Sequence, residues 1–174
     1  MMRVISGNLK GRKLANINNN ILRPTKAIVR KSIMDSIRLF DNKKVLDLFS
    51  GVGTLGIEAI SRGARNVVFV EKNYKVIKIL EQNIQVCGLK ESTSIVKSDV
   101  MTYLKKENSK YDIIFADPPY RSYPFEEIFP KVSTLLNNNG IFCYESNKQN
   151  VNIEGVFKIK YYGNTQVILW ENGK

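Results

Sequence analysis

The stretch Val45 to Gly56, VLDLFSGVGTLG, constrains the fold of this chain more than any other. It opens apolar and β-prone and meets an acid at Asp47. It then turns through Ser50-Gly51-Val52-Gly53 and runs into a helix-like segment from Leu55 to Ile60. A strand, a tight glycine turn and a helix N-terminus in succession make a nucleotide-sized pocket, because the unpaired backbone N–H groups of the helix point at the ligand. Glycine is needed where the backbone takes positive φ or lets a ligand come close.

The rest of the chain alternates strands and helices around this unit. Asn66–Glu71 (NVVFVE) holds a continuous apolar run ending in an acid, which suits a strand buried on both faces. Tyr74–Cys87 carries Val76, Ile77, Leu80, Ile84 and Cys87 on one helical face, and Gly88 ends it. A short strand, Ser94–Lys97, leads through Ser98-Asp99 to a helix reaching Lys106. Tyr111–Ala116 is a further apolar strand, followed by Asp117-Pro118-Pro119-Tyr120 and a helix from Phe125 to Leu136. Asn137–Gly140 reads as a turn, Ile141–Glu145 as a strand, and Val156–Tyr162 with Thr165–Trp170 as a closing hairpin through Gly163-Asn164. Such alternation predicts an α/β fold with a mostly parallel sheet covered on both faces. Ligands of such sheets sit at the C-terminal strand ends. Asp47, Glu71, Asp99 and Asp117 all fall at or just past such ends.

Ahead of this core, Arg3–Gly7 and Lys10–Leu14 predict a small hairpin, and Asn16–Asn20 a polar loop. Arg23-Pro24-Thr25 starts a helix, with Pro24 stopping anything earlier and Thr25 able to cap. That helix is expected to run to about Phe40, with Val29, Ile33, Ile37 and Phe40 on one side and Arg30 at the edge of the stripe. The natural division is therefore a basic extension over 1–44 and an α/β domain over 45–174.

Charge follows the same division. Residues 1–44 hold 11 Lys and Arg against 2 acids, whereas 45–174 hold 16 against 14, within a net charge of +11. A basic leading segment on a nearly neutral domain points to a polyanionic partner. At 43% hydrophobic the chain is globular in composition. No apolar run approaches membrane-spanning length, and Met1-Met2-Arg3 leads into no signal-type core, so the cytoplasm is the expected location and no membrane partner is expected. Cys87 and Cys143 lack metal-type spacing and the chain has no histidine. Both are expected reduced in or near the core, and no metal is expected.

Gly51–Gly56 satisfies G-x-G-x-x-G, and Glu71 lies 20 residues past Gly51. Those facts fit a dinucleotide as well as S-adenosylmethionine. Two features favour the latter. Asp47 at the strand end would repel a pyrophosphate and welcome the sulfonium and ammonium of S-adenosylmethionine. The second is Asp117-Pro118-Pro119-Tyr120 itself. In this reading Glu71 accepts both ribose hydroxyls. Asp99 either accepts from the adenine amino group, with Val100 against the ring, or simply caps the helix that follows. Phe49, Gly51, Gly53 and Lys72 complete the expected cofactor set.

An aromatic exocyclic amine is a poor nucleophile because its lone pair is delocalised into the ring. A carboxylate such as Asp117 and a backbone carbonyl can accept its two hydrogens and favour the tetrahedral form. Pro118 and Pro119 stiffen the loop and direct its carbonyls. Tyr120 offers a flat face for stacking the base.

These residues resemble the class I S-adenosylmethionine-dependent methyltransferases that modify exocyclic amines and carry an (Asp/Asn/Ser)-Pro-Pro-(Tyr/Phe) motif. From end to end the chain resembles one family among them, the bacterial RsmD family, which methylates N2 of a guanine in 16S ribosomal RNA. Arg3–Gly7 and Gly11–Leu14 resemble its opening hairpin, and Leu22-Arg23-Pro24-Thr25 its helix start. Asp47–Gly51, Leu55–Ala59 and Ser61-Arg62-Gly63 resemble its cofactor loop and helix, and Tyr162-Gly163 completes the match. The chain departs from the family pattern at Ile28, Lys31 and Val52. The resemblance implies a Rossmann-like, seven-stranded sheet with the last strand antiparallel, plus a small N-terminal hairpin and helix. It implies S-adenosyl-L-methionine as cofactor and a substrate presented within an assembled small ribosomal subunit. Asp117, Pro118, Pro119 and Tyr120 would be catalytic, and Arg3, Arg12, Lys13, Arg23, Thr25 and Arg30 would meet the RNA; a monomer is expected. Three other readings remain: an amino-methyltransferase of adenine or cytosine, a non-catalytic nucleic-acid-binding protein on an inherited fold, and a nicotinamide-dependent oxidoreductase.

Overall fold

The computed structural model describes residues 2–16, 27–119, 123–149 and 154–173. Seven strands form the main sheet: β3 (Lys44–Leu48), β4 (Asn66–Glu71), β5 (Thr93–Lys97), β6 (Tyr111–Ala116), β7 (Leu136–Asn147), β8 (Val156–Tyr162) and β9 (Thr165–Glu171). Their order is β5-β4-β3-β6-β7-β9-β8, with β3 and β6 side by side at its middle. All pairs are parallel except those made by β9, which runs antiparallel to both β7 and β8. The chain thus winds outward from β3 to one edge, returns to β6 and winds to the other. The switch between β3 and β6 opens the crevice in which such sheets bind ligands.

The strand pattern explains why both faces are covered. In β3 the residues alternate between two cores: Val45 packs with Val67, Phe69, Ile113 and Phe115, whereas Leu46 and Leu48 pack with Val70, Ile114 and Phe142. The first core is closed by α1 (Ala27–Ile37), α2 (Thr54–Ser61) and α3 (Tyr74–Cys87), and the second by α4 (Val100–Leu104) and α5 (Phe125–Ser133). Cys87 and Cys143 are both buried and free.

Ahead of the sheet, β1 (Met2–Arg3) and β2 (Lys13–Leu14) pair antiparallel over only two residues each, shorter than the runs expected. The loop between them spends its amides on α2 instead. Ile5 and Ser6 N–H donate to the two carboxylate oxygens of Glu58 at 2.8 and 2.9 Å. Leu9 N–H donates to Ser61 Oγ at 2.9 Å, and Asn8 N–H to the Ser61 carbonyl at 2.7 Å. At Gly7, with φ +80°, an added Cβ would stand 1.7 Å from that same carbonyl.

Three boundaries differ from expectation. Helix α1 stops at Ile37 rather than near Phe40, because Arg38 adopts φ 62° and swings Phe40 into the core while Leu39 faces out. Helices α4 and α5 stop at Leu104 and Ser133, short of Lys106 and Leu136. The turn expected over Asn137–Gly140 is an excursion within β7: Leu136 pairs with Tyr111 and Ile141 with Ile113. Asp112 holds the excursion by accepting from Asn137 Nδ2 at 3.0 Å. Beyond Asn16, the expected polar loop and the Arg23-Pro24-Thr25 helix start lie outside the described residues.

Candidate active site

Strand β3 delivers Asp47 to the sheet's C-terminal edge in a buried position. The chain then reverses over Phe49, at φ 57°, and the glycine turn. Gly53 has φ +86°, a backbone conformation that L side chains rarely adopt, and a Cβ there would also displace Leu80 Cδ1, 2.4 Å away on α3. Two carboxylates fasten this turn. Gly56 N–H donates to Asp47 Oδ2 at 2.9 Å, and Gly51 N–H to Glu71 Oε2 at 3.1 Å. Glu71 Oε1 also accepts from Asn73 N–H at 2.8 Å, tying the end of β4 to the start of α3.

Burial pushes the pKa of Asp47 up to about 8; the Gly56 N–H opposes the shift, and the negative charges of Asp117 and Glu71 add to it. Both charges acting on Asp47 are therefore unfavourable. A cationic ligand group in the crevice would relieve them, so the site fits the positively charged amino-acid end expected there.

Phe49, Val70, Glu71, Lys72, Asp99 and Val100 line a small cleft beside the turn. Asp99 is the N-cap of α4, its Oδ1 accepting from Met101 and Thr102 N–H. Its second oxygen accepts from Tyr123 Oη at 3.0 Å. Burial works against ionisation of Asp99, but the bonds from Tyr123, Thr102 and Met101 and the charge of Lys72 outweigh it and hold its pKa below the usual carboxylate value. The capping role of Asp99 is thus observed, and an adenine amino group would share Oδ2 with Tyr123. The Tyr123 ring packs on Phe49 with centroids 4.8 Å apart, Lys72 Nζ lies 6.0 Å from its centre, and its carbonyl accepts from Tyr144 Oη at 2.7 Å.

On the far side of Tyr123, Pro118, Pro119, Pro124, Tyr144 and Ser146 border a second groove of about 350 Å3. Asp117 follows β6 directly, half-buried, with Pro118 buried and Pro119 exposed behind it. The residues expected to hold the cofactor and the Asp117-Pro118-Pro119 segment thus meet at one edge, on neighbouring strands β3 and β6. Tyr120 lies outside the described residues, as do Arg23 and Thr25.

The basic segment divides. Arg3, Lys10, Arg12 and Lys13 are exposed around an open groove of about 460 Å3. Arg30, expected to meet RNA, is instead buried: its guanidinium donates to the Arg3 carbonyl at 2.7 Å and stands 4.0 Å from Glu58. Its place on the edge of the α1 stripe put it under the hairpin rather than on the surface. Burial lowers its pKa, and Glu58 opposes that shift.

Sequence reasoning missed three positions. Glu58 stands out as the one acid in the apolar run of α2. Asn83, 1% exposed, donates through Nδ2 to the carbonyls of Val52 and Ala15 and accepts from Ala15 N–H, joining the glycine turn to the N-terminal segment. Tyr123, which separates the two grooves, had no signal beyond being aromatic near the Pro-Pro pair.

The family model described as Conserved hypothetical protein 95 matches residues 2–171. The ribosomal RNA small subunit methyltransferase D of Buchnera aphidicola subsp. Acyrthosiphon pisum is 39% identical over 137 residues, covering 78% of this chain and 69% of that protein. A solved structure of a hypothetical protein from Thermus thermophilus superposes with a TM-score of 0.85 at 25% identity, over 98% of this chain and 99% of that one. An RNA methyltransferase from Salinibacter ruber, solved in complex with S-adenosyl-L-homocysteine, shares the fold at 14% identity and a TM-score of 0.71, over 87% of this chain and 95% of that one.

Proposed function

The chain belongs to the Conserved hypothetical protein 95 family, the RsmD family of small-subunit ribosomal RNA methyltransferases, and from that premise we propose that it transfers a methyl group to the exocyclic N2 amine of a guanine in 16S ribosomal RNA, within an assembled small subunit. One observation carries the reading: Asp117-Pro118-Pro119 follows β6 at the same sheet edge as the glycine turn that Asp47 and Glu71 fasten. An amine-holding carboxylate then faces a site suited to a cation. A dinucleotide's pyrophosphate would bring further negative charge to a place where Asp117 and Glu71 already oppose ionisation of Asp47, whereas a cationic group favours it.

S-adenosylmethionine supplies an electrophilic methyl group on a sulfonium. Asp47 and the glycine turn would hold the cationic end, while Glu71 and Asp99 would bind the ribose and adenine. Asp117 and a backbone carbonyl of the Pro-Pro segment accept the two amine hydrogens. Held in this way, the nitrogen lone pair would point at the methyl carbon that S-adenosylmethionine would supply, with the electron pair of the C–S bond left on sulfur. The nitrogen gains the positive charge and gives a proton to water through Asp117. The gain comes from positioning and from the fixed carboxylate facing the nitrogen as it becomes positive. Tyr120 is assigned to stacking the base.

Residues 1–44 form the RNA-contacting extension and 45–174 the catalytic domain. Arg3, Arg12, Lys13, Arg23 and Thr25 are the contacts we assign, with Arg30 holding the hairpin from beneath. The protein works as a monomer in the cytoplasm without a metal. Among the described residues no helix is long and apolar enough to cross a membrane, and no cluster of three or more Cys, Asp or Glu residues could hold a metal ion.

The test is methyl transfer from labelled S-adenosylmethionine to small subunits lacking the modification, beside naked 16S RNA and duplex DNA, with nucleoside analysis. N2-methylguanine in the subunit is the expected product. Methyladenine, methylcytosine or label in DNA would move the substrate; no label anywhere would leave only a nucleic-acid-binding protein.

A further inference from the structure

Space around the candidate site is unevenly divided, and one side chain divides it. The cleft lined by Phe49, Glu71, Asp99 and Val100 measures only about 30 Å3, room on the order of one water molecule. A purine is several times larger. The groove across Tyr123, beside Pro118 and Pro119, measures about 350 Å3.

Three contacts hold the half-buried Tyr123 between the two. Its Oη donates to Asp99 Oδ2 at 3.0 Å, its ring packs on Phe49 with centroids 4.8 Å apart, and its carbonyl accepts from Tyr144 Oη at 2.7 Å. The first two copy what is expected of adenine: a donor on Asp99 and a flat ring against an aromatic wall. A hydroxyl can share a carboxylate oxygen with an amino group, because that oxygen has two lone pairs. A phenol ring cannot share the space of a purine. The third contact, from the buried Tyr144, and the fixed φ of Pro124, the N-cap of α5, hold the main chain. What can turn is the side chain, about its own Cα–Cβ bond, and the larger groove has room for it.

We propose that Tyr123 is a plug in the place of adenine, and that S-adenosylmethionine binds by turning it away from Asp99 into the groove beside Pro118 and Pro119. The proposal rests on Asp99 as the adenine partner, assigned above. Only molecules with the plug turned out accept the base, so the apparent affinity is the intrinsic one reduced by their fraction. The reduction applies to every ligand that carries adenine and to none that lacks it. A tyrosine that formed a wall of the adenine site would act with the opposite sign.

The experiment measures equilibrium binding of S-adenosylhomocysteine, adenosine and methionine to the full chain and to Tyr123→Ala, Tyr123→Phe and Asp99→Asn. Tyr123→Ala should bind the two adenine ligands about tenfold more tightly than the wild type, as follows if about a tenth of wild-type molecules are open. Tyr123→Phe loses the bond to Asp99 and keeps the ring, so it should show part of the gain; should Tyr123→Ala not fold, Tyr123→Phe decides the sign. Methionine has no nucleobase and should bind the wild type and both Tyr123 variants alike. In wild type labelled with 3-fluorotyrosine, the fluorine resonance that Tyr123→Phe lacks should move on addition of adenosine and stay in place with methionine. Unchanged or weaker adenosine binding in the Tyr123 variants overturns the plug, and so does an equal gain for methionine. Asp99→Asn tests the underlying site. Asn still caps α4, but it sets an amide donor against the amino group of adenine, so adenosine binding should fall. That fall without a gain in the Tyr123 variants strikes the plug alone. Asp99→Asn as tight as wild type removes Asp99 as the adenine partner and the plug with it.

Discussion

Buried beneath the glycine turn, Asp47 ties the site to pH. In an unfolded chain an aspartate titrates near ~3.9, whereas here burial and the charges of Asp117 and Glu71 push it up to about 8. Because the folded value is the higher one, the stability Asp47 contributes is fully present below the unfolded value and is lost as pH rises through about 8. Melting curves of the ligand-free chain should therefore show a decline between those limits that Asp47→Asn abolishes. A cationic ligand favours the carboxylate and reverses the sign: binding at neutral pH should release a proton, and cofactor affinity should climb with pH until Asp47 is ionised. Calorimetric titration in two buffers of different ionisation enthalpy reads that proton directly, and equal heats in both would sink the assignment. Asp117 answers a different test. Asp117→Ala should lower kcat about a hundredfold or more, the range seen when one preorganised polar contact to a transition state is removed, while cofactor binding stays nearly unchanged. Parallel loss of both would mean Asp117 holds the cofactor rather than the amine.

Helix α2 has two tasks, and its residues divide accordingly. Its N-terminal turn presents the Gly56 N–H to Asp47, and its C-terminal half carries Glu58 and Ser61 under the hairpin loop. The same eight-residue helix, Thr54–Ser61, thus fixes the cofactor turn at one end and the basic segment at the other. Glu58→Ala would orphan the Ile5 and Ser6 amides and leave the buried Arg30 charge uncompensated. Removing one partner of a buried ion pair costs about 3–5 kcal/mol. Chemical denaturation should register that loss, and hydrogen exchange at Ile5 and Ser6 should accelerate. Unchanged exchange would show that the loop is held by something else.

Taken as one body, the protein carries four exposed cations, Arg3, Lys10, Arg12 and Lys13, on the hairpin that rides on the first core. Replacing Arg3, Arg12 and Lys13 together with alanine should weaken RNA binding across sequences and flatten its salt dependence by roughly one unit of log–log slope for each phosphate no longer neutralised. Arg30→Ala, in contrast, should lower stability and leave the slope alone. The fold was legible because its main signals are local and periodic: the apolar strands β3, β4 and β6, the Tyr74–Cys87 stripe and the glycine turn. The positions of Asp47, Glu71 and Asp117 at strand ends followed from the same alternation. What stayed hidden depends on contacts between distant segments. Nothing near Arg30 in the chain announces Glu58, nothing near Val52 announces Asn83, and the gap that Tyr123 fills between two grooves exists only after folding. Gly7 belongs to this second kind. It is exposed in a loop that also carries Lys10 and Arg12, yet even one methyl group there would collide with the Ser61 carbonyl. In a saturation-mutagenesis library selected for function, Gly7 should accept almost no replacement, while its charged neighbours tolerate many. Divergence among chains of this kind is then free to redraw the exposed charges of the hairpin, provided Gly7 is kept bare.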